Sequence, residues 1–247
     1  SHDAGFYPYN AVRNRAMQWA RGDLFFLLDA DFVPSAGLVE EWSDPAGREE
    51  LAEQLDRDVA IVLPALEVQG EGVEGTARVE ALVRGERGPV LSKLRRGEAS
   101  GFHVRQFKRG HGPTDLLRWS TSSAFYPVRY ARGYEPYVIV HRRHVPWYDE
   151  RFRGYGRDKI VHLTHLAELG VKFLVHPAAF VVHLPHPVTA TLQHTRVSGQ
   201  WDRLLEIFDE ANAEIKNHTF VPVTTLEDGC ESLAQLASRK KERQGAE

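Results

Sequence analysis

The sequence has a single cysteine, Cys230, among its 247 residues. The chain can therefore form no internal disulfide and no cluster of thiolate metal ligands. No apolar run approaches the roughly 20 residues that span a bilayer, and one of the longest, Leu24–Leu28, is ended by Asp29. Charge of one sign is also lacking, because 31 basic and 34 acidic residues leave a net charge of −3. This balance argues against a protein that wraps nucleic acid or coats anionic lipid.

What is present is an ordinary globular composition, with 42% hydrophobic and 26% charged residues. It excludes collagen-like, low-complexity and broadly disordered chains. We expect one domain over residues 1–225 and a polar C-terminal tail over residues 226–247. Because the chain begins with Ser1 and not Met, we also expect it to be a piece of a longer chain whose signal or anchor lies upstream.

Helices and apolar strands alternate along the chain, which predicts an α/β fold with a mostly parallel sheet. The predicted helices are residues 8–21, Glu40–Leu55, Asp158–Leu169 and 201–215. The predicted strands are Leu24–Leu28 and Val59–Leu63, both buried, then Pro136–His141, and Lys172–Val175 and Phe180–Leu184 as a pair around Pro177. Residues 68–101 are expected to run over the surface with one or two short helices.

The first helix has two contrasting faces. Its apolar stripe consists of Val12, Ala16, Trp19 and Ala20. The opposite face carries Asn10, Arg13, Asn14 and Met17, at the i, i+3, i+4 and i+7 spacing of one helix surface.

Two carboxylates, Asp29 and Asp31, directly follow the first apolar strand. Residues i and i+2 of an extended backbone point to the same side, so both side chains can meet one divalent cation. Ligands also favour the carboxyl ends of strands in open α/β sheets, and oxygen ligands suit Mg²⁺ or Mn²⁺ bridging to a diphosphate. The alternative is a turn whose acids cap backbone N–H groups.

Two histidines, His183 and His186, stand at the end of another predicted strand. A neutral imidazole can complete a carboxylate-rich Mn²⁺ site. The alternative is that each is an ordinary surface or core residue among the 12 histidines of the chain. The argument for His183 is its strand-end position, which parallels that of the Asp pair.

Two further stretches carry groups that suit catalysis or sugar binding. Asp158 follows a glycine-containing segment at a predicted helix N-terminus, where a carboxylate is stabilised and can act as a base; the alternative is a helix cap. His111 and Trp119 offer a hydrogen-bonding group and an aromatic face, a combination that suits a carbohydrate; the alternative is a packed loop.

Taken together, five separated motifs and a histidine-containing strand resemble glycosyltransferase family 49, the glucuronyltransferase domain of LARGE-type and related enzymes. The similarity spans most of residues 7–187. The matching stretches are, in order, Tyr7–Asn14 (YPYNAVRN), Asp29–Pro34 (DADFVP), Gly110–Thr114 (GHGPT) with Trp119, Glu135–Val140 (EPYVIV), Tyr148–Gly156 (YDERFRGYG) and the strand with His183.

The resemblance implies a GT-A fold and an inverting enzyme that moves a sugar, glucuronic acid, from a UDP-sugar donor to a glycan acceptor with Mn²⁺ or Mg²⁺ as cofactor. It implies a metal site of Asp29, Asp31 and His183. By the same resemblance, Asn10, Arg13, Asn14 and Asp29 contact the nucleotide-sugar. His111, Trp119, Lys159 and His186 are assigned to substrate, with His186 also a further candidate ligand.

Inversion requires a base that deprotonates the acceptor hydroxyl opposite the leaving group. Asp158 is the first candidate and Glu135 the second. The family usually has Gly-Phe-Gly-Trp-Asn-Lys where this chain has Gly-Tyr-Gly-Arg-Asp-Lys over residues 154–159, and an Asn cannot act as a base. A glucuronate carboxylate needs a cationic partner, for which Arg13, Arg157 and Lys159 are eligible.

The resemblance also implies a location in the Golgi lumen, as part of a membrane-anchored parent chain. The nucleotide-binding half of a GT-A domain begins with strands that would precede Ser1, so we expect this fragment to lack them. Two alternatives stay open. One is a catalytically inactive, carbohydrate-binding GT-A-like protein. The other is a haloacid-dehalogenase-type phosphatase that uses Asp29 as nucleophile.

Overall fold

The computed structural model describes residues 7–225 of the chain, so the predicted tail over residues 226–247 lies outside the described part. Within residues 7–225 the helices are α1 (Tyr9–Trp19), α2 (Ala36–Ser43), α3 (Pro45–Leu55), α4 (Gly72–Val83), α5 (Arg87–Arg96), α6 (Lys108–His111), α7 (Leu116–Thr121), α8 (Asp158–Glu168), α9 (Ala190–Val197) and α10 (Gln200–Lys216). The strands are β1 (Leu24–Leu27), β2 (Phe32–Pro34), β3 (Val59–Leu63), β4 (Ala65–Val68), β5 (Ala99–Gly101), β6 (Tyr126–Val128), β7 (Tyr137–His141), β8 (Lys172–Val175) and β9 (Val181–His183).

The described chain divides into two compact units, each built from separate stretches of sequence. The sheet unit comprises residues 26–140 and 172–187. The helical unit comprises, within the described part, residues 7–25, 141–171 and 188–225, and it contains α1, α8, α9 and α10. The single domain expected over residues 1–225 stays a prediction.

The sheet unit is built on two sheets, with strand orders β1-β7-β3-β8-β6 and β2-β9-β4-β5. Helices α3, α4 and α5 pack on β3, β4 and β5, respectively. The predicted α/β class is therefore confirmed. The sheets are mixed and not mostly parallel as predicted: among the described pairings, β3–β8 and β4–β9 are parallel and the rest are antiparallel.

The prediction that β8 and β9 form a strand pair is wrong, because they lie in different sheets. After β8 the chain stays beside the β3–β4 segment: the His176 N–H donates to the Val62 carbonyl, and the Val181 N–H donates to the Pro64 carbonyl, both at 2.9 Å. The two segments β3–β4 and β8–β9 thus cross together from one sheet to the other. This crossing brings the end of β9 beside β2.

The central strand β3 is buried at all five residues, as its apolar run predicts. The other apolar run behaves differently. Strand β1 lies at the edge of the five-stranded sheet, and among its four residues Phe25 alone is buried. The prediction that this strand is buried is therefore wrong for three of the four residues of β1.

Three helical predictions needed adjustment. The single helix expected over Glu40–Leu55 is two helices, because Pro45 lacks an N–H and starts α3, whose first turn is capped by the Asp44 carboxylate accepting from the Gly47 N–H at 2.9 Å. Over residues 68–101 the expected one or two short helices are confirmed as α4 and α5, and the adjustment is the strand β5, which was not predicted. No helix within residues 7–225 is long and apolar enough to cross a membrane.

The third adjustment concerns α1, whose buried face is the polar one. Asn10, Asn14 and Met17 are buried, whereas Trp19 is 77% exposed and Val12 is 49% exposed. The apolar stripe therefore does not define the packing surface. The reason lies in the hydrogen bonds that the two asparagines make to residues 148–150, described below.

Candidate metal and substrate site

Three polar side chains of the sheet unit converge where β9 ends beside β2. The Nε2 atoms of His183 and His186 lie 3.4 Å and 3.0 Å from Asp31 Oδ2. One ligand atom from each of the three residues lies within 4.8 Å of the other two. We call these three residues the Asp31 cluster. The strand pairing builds it, because His183 is the register partner of Phe32 and the Leu184 N–H donates to the Asp31 carbonyl at 2.7 Å.

The Asp31 carboxylate has one oxygen available for a further ligand. Its Oδ1 atom is buried and has no hydrogen-bond partner, whereas Oδ2 meets both imidazoles. Partial burial acts to raise the pKa of Asp31, but the hydrogen bonds from His183 and His186 outweigh it and lower the pKa to about 2. The group is therefore an anion at any physiological pH, and a buried unpartnered anionic oxygen favours a cation.

The contacts of His186 define which ring nitrogen faces the cluster. Its Nδ1 lies 2.7 Å from the Pro187 carbonyl oxygen, which is an acceptor only, so Nδ1 carries a proton. Nε2 faces the Asp31 carboxylate, and it is the ring atom that would lose its proton and give a lone pair to a metal, as in other sites where a carbonyl orients a histidine ligand. The pKa of His186 is raised by the contact with the Pro187 carbonyl and by the hydrogen bond to Asp31.

Asp29, the other predicted carboxylate ligand, is held by a neighbouring strand. Its Oδ2 accepts a hydrogen bond from the Tyr137 hydroxyl at 3.0 Å. Asp29 is not one of the three residues in the Asp31 cluster, and its role as a metal ligand stays a prediction. Tyr137 lies in the Glu135–Val140 motif, and the sequence predicted no role for it. Its position at the start of a strand, two residues after Glu135, was the sequence feature that could have indicated a site residue.

The ring cluster beside Asp29 includes one of the predicted substrate residues. His111 is buried, stacks on Tyr137 with ring centres 5.8 Å apart, and meets the edge of Phe102 at 5.2 Å. Glu135 lies on the same segment as Tyr137, and its N–H donates to the Gly110 carbonyl at 2.9 Å. These residues all belong to the sheet unit that holds the Asp31 cluster.

The Trp119 side chain is packed in the protein interior and presents no exposed aromatic face. The side chain is 0% exposed, its Nε1 donates to the His176 carbonyl at 3.0 Å, and its ring meets the edge of Phe180. Trp119 lies within helix α7 and not in a loop, and its contact with a sugar stays a prediction.

The predicted donor residues Asn10 and Asn14 fasten α1 inside the helical unit. Asn14 is 0% exposed and its amide is fully used: Nδ2 donates to the Tyr148 carbonyl at 2.9 Å and to Glu150 Oε1 at 2.8 Å, and Oδ1 accepts from the Tyr148 N–H at 2.8 Å. Asn10 Nδ2 donates to the Asp149 carbonyl at 2.7 Å. These bonds satisfy buried backbone groups of the segment over residues 148–150. Contact of either amide with a nucleotide-sugar stays a prediction.

Arg13 and Asp158 form an ion pair within the helical unit. Arg13 also donates to Asn10 Oδ1 at 2.8 Å, and its guanidinium lies 5.0 Å from the centre of the Tyr148 ring. Asp158 is the first residue of α8, as predicted. Lys159 follows it in the first turn of the helix and is partly exposed. The Asp158 carboxylate is thus neutralised by a partner that the sequence analysis had assigned to the donor.

The Tyr148 ring, which lies near the Arg13 guanidinium, also stacks on a histidine. His162 stacks on Tyr148 with ring centres 3.7 Å apart and planes 5° apart. Burial, together with the neighbouring His165 and Arg13, lowers the pKa of His162 to about 3, and burial lowers the pKa of His165 to about 4. Both rings are therefore neutral at physiological pH.

Comparison with known proteins adds a family and its relatives. A family described as glycosyl-transferase for dystroglycan matches residues 1–208. The xylosyl- and glucuronyltransferase LARGE2 of Homo sapiens is 35% identical over 213 residues, which cover 86% of this chain and 28% of that protein. LARGE1 of Homo sapiens and LARGE2s of Gallus gallus are each 32% identical over 205 residues, 83% of this chain and 26% of theirs. The chain thus spans between a quarter and a third of the length of these curated relatives.

Proposed function

The chain belongs to the family of glycosyl-transferases for dystroglycan, and from that premise we propose that it is a metal-dependent, inverting glycosyltransferase. The proposed donor is a UDP-sugar and the proposed acceptor is a glycan. Relatives that cover most of this chain carry glucuronyltransferase in their names, which supports glucuronic acid as the transferred sugar. A place in the Golgi lumen belongs to the same proposal.

The single observation that carries the proposal is the convergence of Asp31, His183 and His186. Carboxylate oxygen suits Mn²⁺, and a neutral imidazole can complete a Mn²⁺ site that contains a carboxylate. The buried, unpartnered Oδ1 of Asp31 fits such an ion. When bound, the ion supplies Lewis acidity that neutralises charge on the departing diphosphate. The chain's part is to hold the three ligands, with the Pro187 carbonyl orienting His186.

The contacts favour Glu135 over Asp158 as the general base. The Asp158 carboxylate is occupied by its ion pair with the Arg13 guanidinium, so a base at this position would first have to leave that partner. Asp158 also departs from the family pattern, whereas Glu135 matches it. Glu135 lies in the same unit as the Asp31 cluster. It is two residues before Tyr137, whose hydroxyl donates to Asp29. We therefore propose that Glu135 takes the proton of the acceptor hydroxyl.

The two alternatives fare differently. A haloacid-dehalogenase-type phosphatase needs acidic residues from another strand end, but the groups that reach Asp31 from the end of β9 are imidazoles. Family membership also favours glycosyl transfer. An inactive carbohydrate-binding protein is separated from the proposal by turnover, because it would bind a sugar ligand without releasing UDP.

The decisive experiment is a thermal-shift screen of the 247-residue chain with UDP-glucuronate, UDP-xylose and UDP-glucose, each with and without Mn²⁺. Saturating donor together with Mn²⁺ should raise Tm by about 5–10 °C, since binding at a hundred times Kd contributes about 2.7 kcal/mol. Asp31→Asn should abolish the part that depends on Mn²⁺. UDP release with an acceptor glycan then tests transfer. Equal shifts in the wild-type chain and in Asp31→Asn would overturn the metal assignment.

A further inference from the structure

The segment that leaves β9 carries both histidines of the Asp31 cluster, so its path decides whether they reach Asp31. Backbone hydrogen bonding holds this segment as far as Leu184, whose N–H donates to the Asp31 carbonyl. The next residue, Pro185, has no N–H and cannot continue the pairing. The ring of His186 lies 3.0 Å from Asp31 Oδ2 and is oriented by the Pro187 carbonyl. Its backbone directly follows Pro185, so the packing of Pro185 also affects where the ring lies.

Helix α4 supplies that packing through Gly75, which is buried in its first turns. A Cβ atom added at Gly75 would lie 2.6 Å from Pro185 Cγ and 2.7 Å from the Gly70 carbonyl oxygen. Both distances are well below van der Waals contact, so no other residue fits without displacing the ring or the backbone. Glycine is otherwise unfavourable inside a helix. The close approach to Pro185 is a physical reason for glycine at this position.

We propose that Gly75 is a positioning residue for the cation site: it lets α4 pack directly on Pro185 and thereby fixes His186 opposite Asp31. This proposal rests on the proposed function, since it takes the Asp31 cluster as a cation site. A methyl group at position 75 pushes Pro185 outward, and His186, the next residue, moves with it. Helix α4 also packs on β9, which ends at His183, and on β2, which begins directly after Asp31. The helix therefore contacts both strands from which the cluster residues extend.

The test compares Gly75→Ala with Gly88→Ala in the 247-residue chain. Gly88 is also helical, in α5, and an added Cβ there meets no heavy atom within 4 Å. We expect Gly75→Ala to weaken Mn²⁺ binding by about tenfold or more, the size of effect seen when the support of a ligand is lost. The control should change it by less than about twofold. Mn²⁺ affinity is measured by electron paramagnetic resonance of the free ion at neutral pH.

A second variant keeps the proposal testable where Gly75→Ala folds poorly. Pro185→Ala removes the Cγ atom that rests on Gly75 and adds no clash, and it should also weaken Mn²⁺ binding several-fold. If both changes act through one contact, the double variant Gly75→Ala/Pro185→Ala should lose less affinity than the two single losses combined. Independent, multiplying losses would overturn the proposal, as would a folded Gly75→Ala protein with wild-type Mn²⁺ affinity.

A metal-free measurement separates this proposal from the proposed function. Histidine side-chain ¹H–¹⁵N spectra at one pH should show displaced His186 ring signals in Gly75→Ala and unchanged ones in Gly88→Ala. Displaced signals in a protein whose wild-type form binds no Mn²⁺ would remove the cation site and leave the positioning contact. Unchanged signals, with Mn²⁺ bound equally by both proteins, would remove the positioning role and leave the cation site.

Discussion

The sheet unit and the helical unit each gather predicted site residues, but they leave those residues in opposite states. In the sheet unit, Asp31 keeps a buried oxygen without a partner while two imidazoles face its other oxygen. In the helical unit, the Asn14 amide is satisfied on both of its polar atoms by residues 148–150, and Arg13 pairs with Asp158. The incomplete Asp31 carboxylate lies among side chains that can bind a metal and is open to a further ligand, whereas the completed Asn14 amide holds α1 to residues 148–150.

The strongest way to break this contrast is Asp31→Asn. We expect transfer activity to fall by about 1,000-fold, since several kcal/mol of transition-state stabilisation depend on the ion that the carboxylate would hold. Thermal stability should change little. Asp44→Asn, a change to a capping carboxylate in the same unit that an amide can replace, is the matched control. A lower Tm in Asp31→Asn, with unchanged transfer activity of the folded protein, would reverse the assignment of roles.

The two candidate bases sharpen the contrast, because one lies in each unit. Glu135→Gln should lower kcat by about 100-fold, as expected for loss of a general base. Asp158→Asn should lower it by less than about tenfold, because Asp158 already pairs with Arg13 and acts through that contact. Steady-state kinetics with saturating donor measure both. A larger loss in Asp158→Asn would return the base to the helical unit.

Asn14→Ala tests the other side of the comparison. It removes two donors and one acceptor from a buried cluster that includes the Glu150 carboxylate, and should cost about 2–4 kcal/mol of unfolding free energy. Tm should then fall by about 5–15 °C. Arg15→Ala, at an exposed position on the same helix, is the control. Mn²⁺ affinity of the folded fraction should stay at its wild-type value; a selective loss of Mn²⁺ binding without destabilisation would contradict the scaffold role.

The smallest expected effect is a dependence on pH that belongs to the helical unit. His162 and His165 have folded-state pKa values of about 3 and about 4, below their ordinary value of 6.5. The unfolded state therefore binds more protons as pH falls below 6.5, and stability is lost progressively from there toward pH 4. We expect Tm to fall by about 5 °C or more across this window.

His162→Phe isolates that effect, because a phenyl ring keeps the stacking on Tyr148 and does not titrate. Its Tm should fall less between pH 6.5 and pH 4 than that of the wild-type chain. Parallel acid curves for the two proteins would show that other groups dominate in this range. The lowered pKa of Asp31, about 2, places its own loss of stability below this window, between its ordinary value of 3.8 and about 2.

Local sequence patterns predicted the elements whose surroundings are simple. The uninterrupted apolar run of β3 and the regular periodicity of α8 and α10 are found where expected. The orientation of α1 was not predictable from periodicity, because its buried face is selected by hydrogen bonds to residues 148–150, more than 130 positions away. The separation of β8 from β9 likewise depends on pairing with β3 and β4, which no local pattern encodes.

The candidate site was predictable in part for a related reason. Strand-end chemistry pointed to Asp31 and His183, and the structure brings these two side chains together. It also places His186 in that cluster and gives Asp29 a Tyr137 partner instead. The resemblance to a known family identified Asn10, Asn14 and Trp119 as site residues. The structure gives each of them partners within the protein, and their contact with a ligand stays a prediction.

The pairing of β2 with β9 has a consequence for synthesis of the chain. Asp31 and His186 are 155 positions apart, so the ribosome needs about 8–30 s to extend the chain from one to the other. Throughout that interval the aspartate is made but its two imidazole neighbours are not. The proposed cation site is thus completed only late in synthesis, and the uptake of Mn²⁺ by a refolding chain would time the closure of this long-range contact.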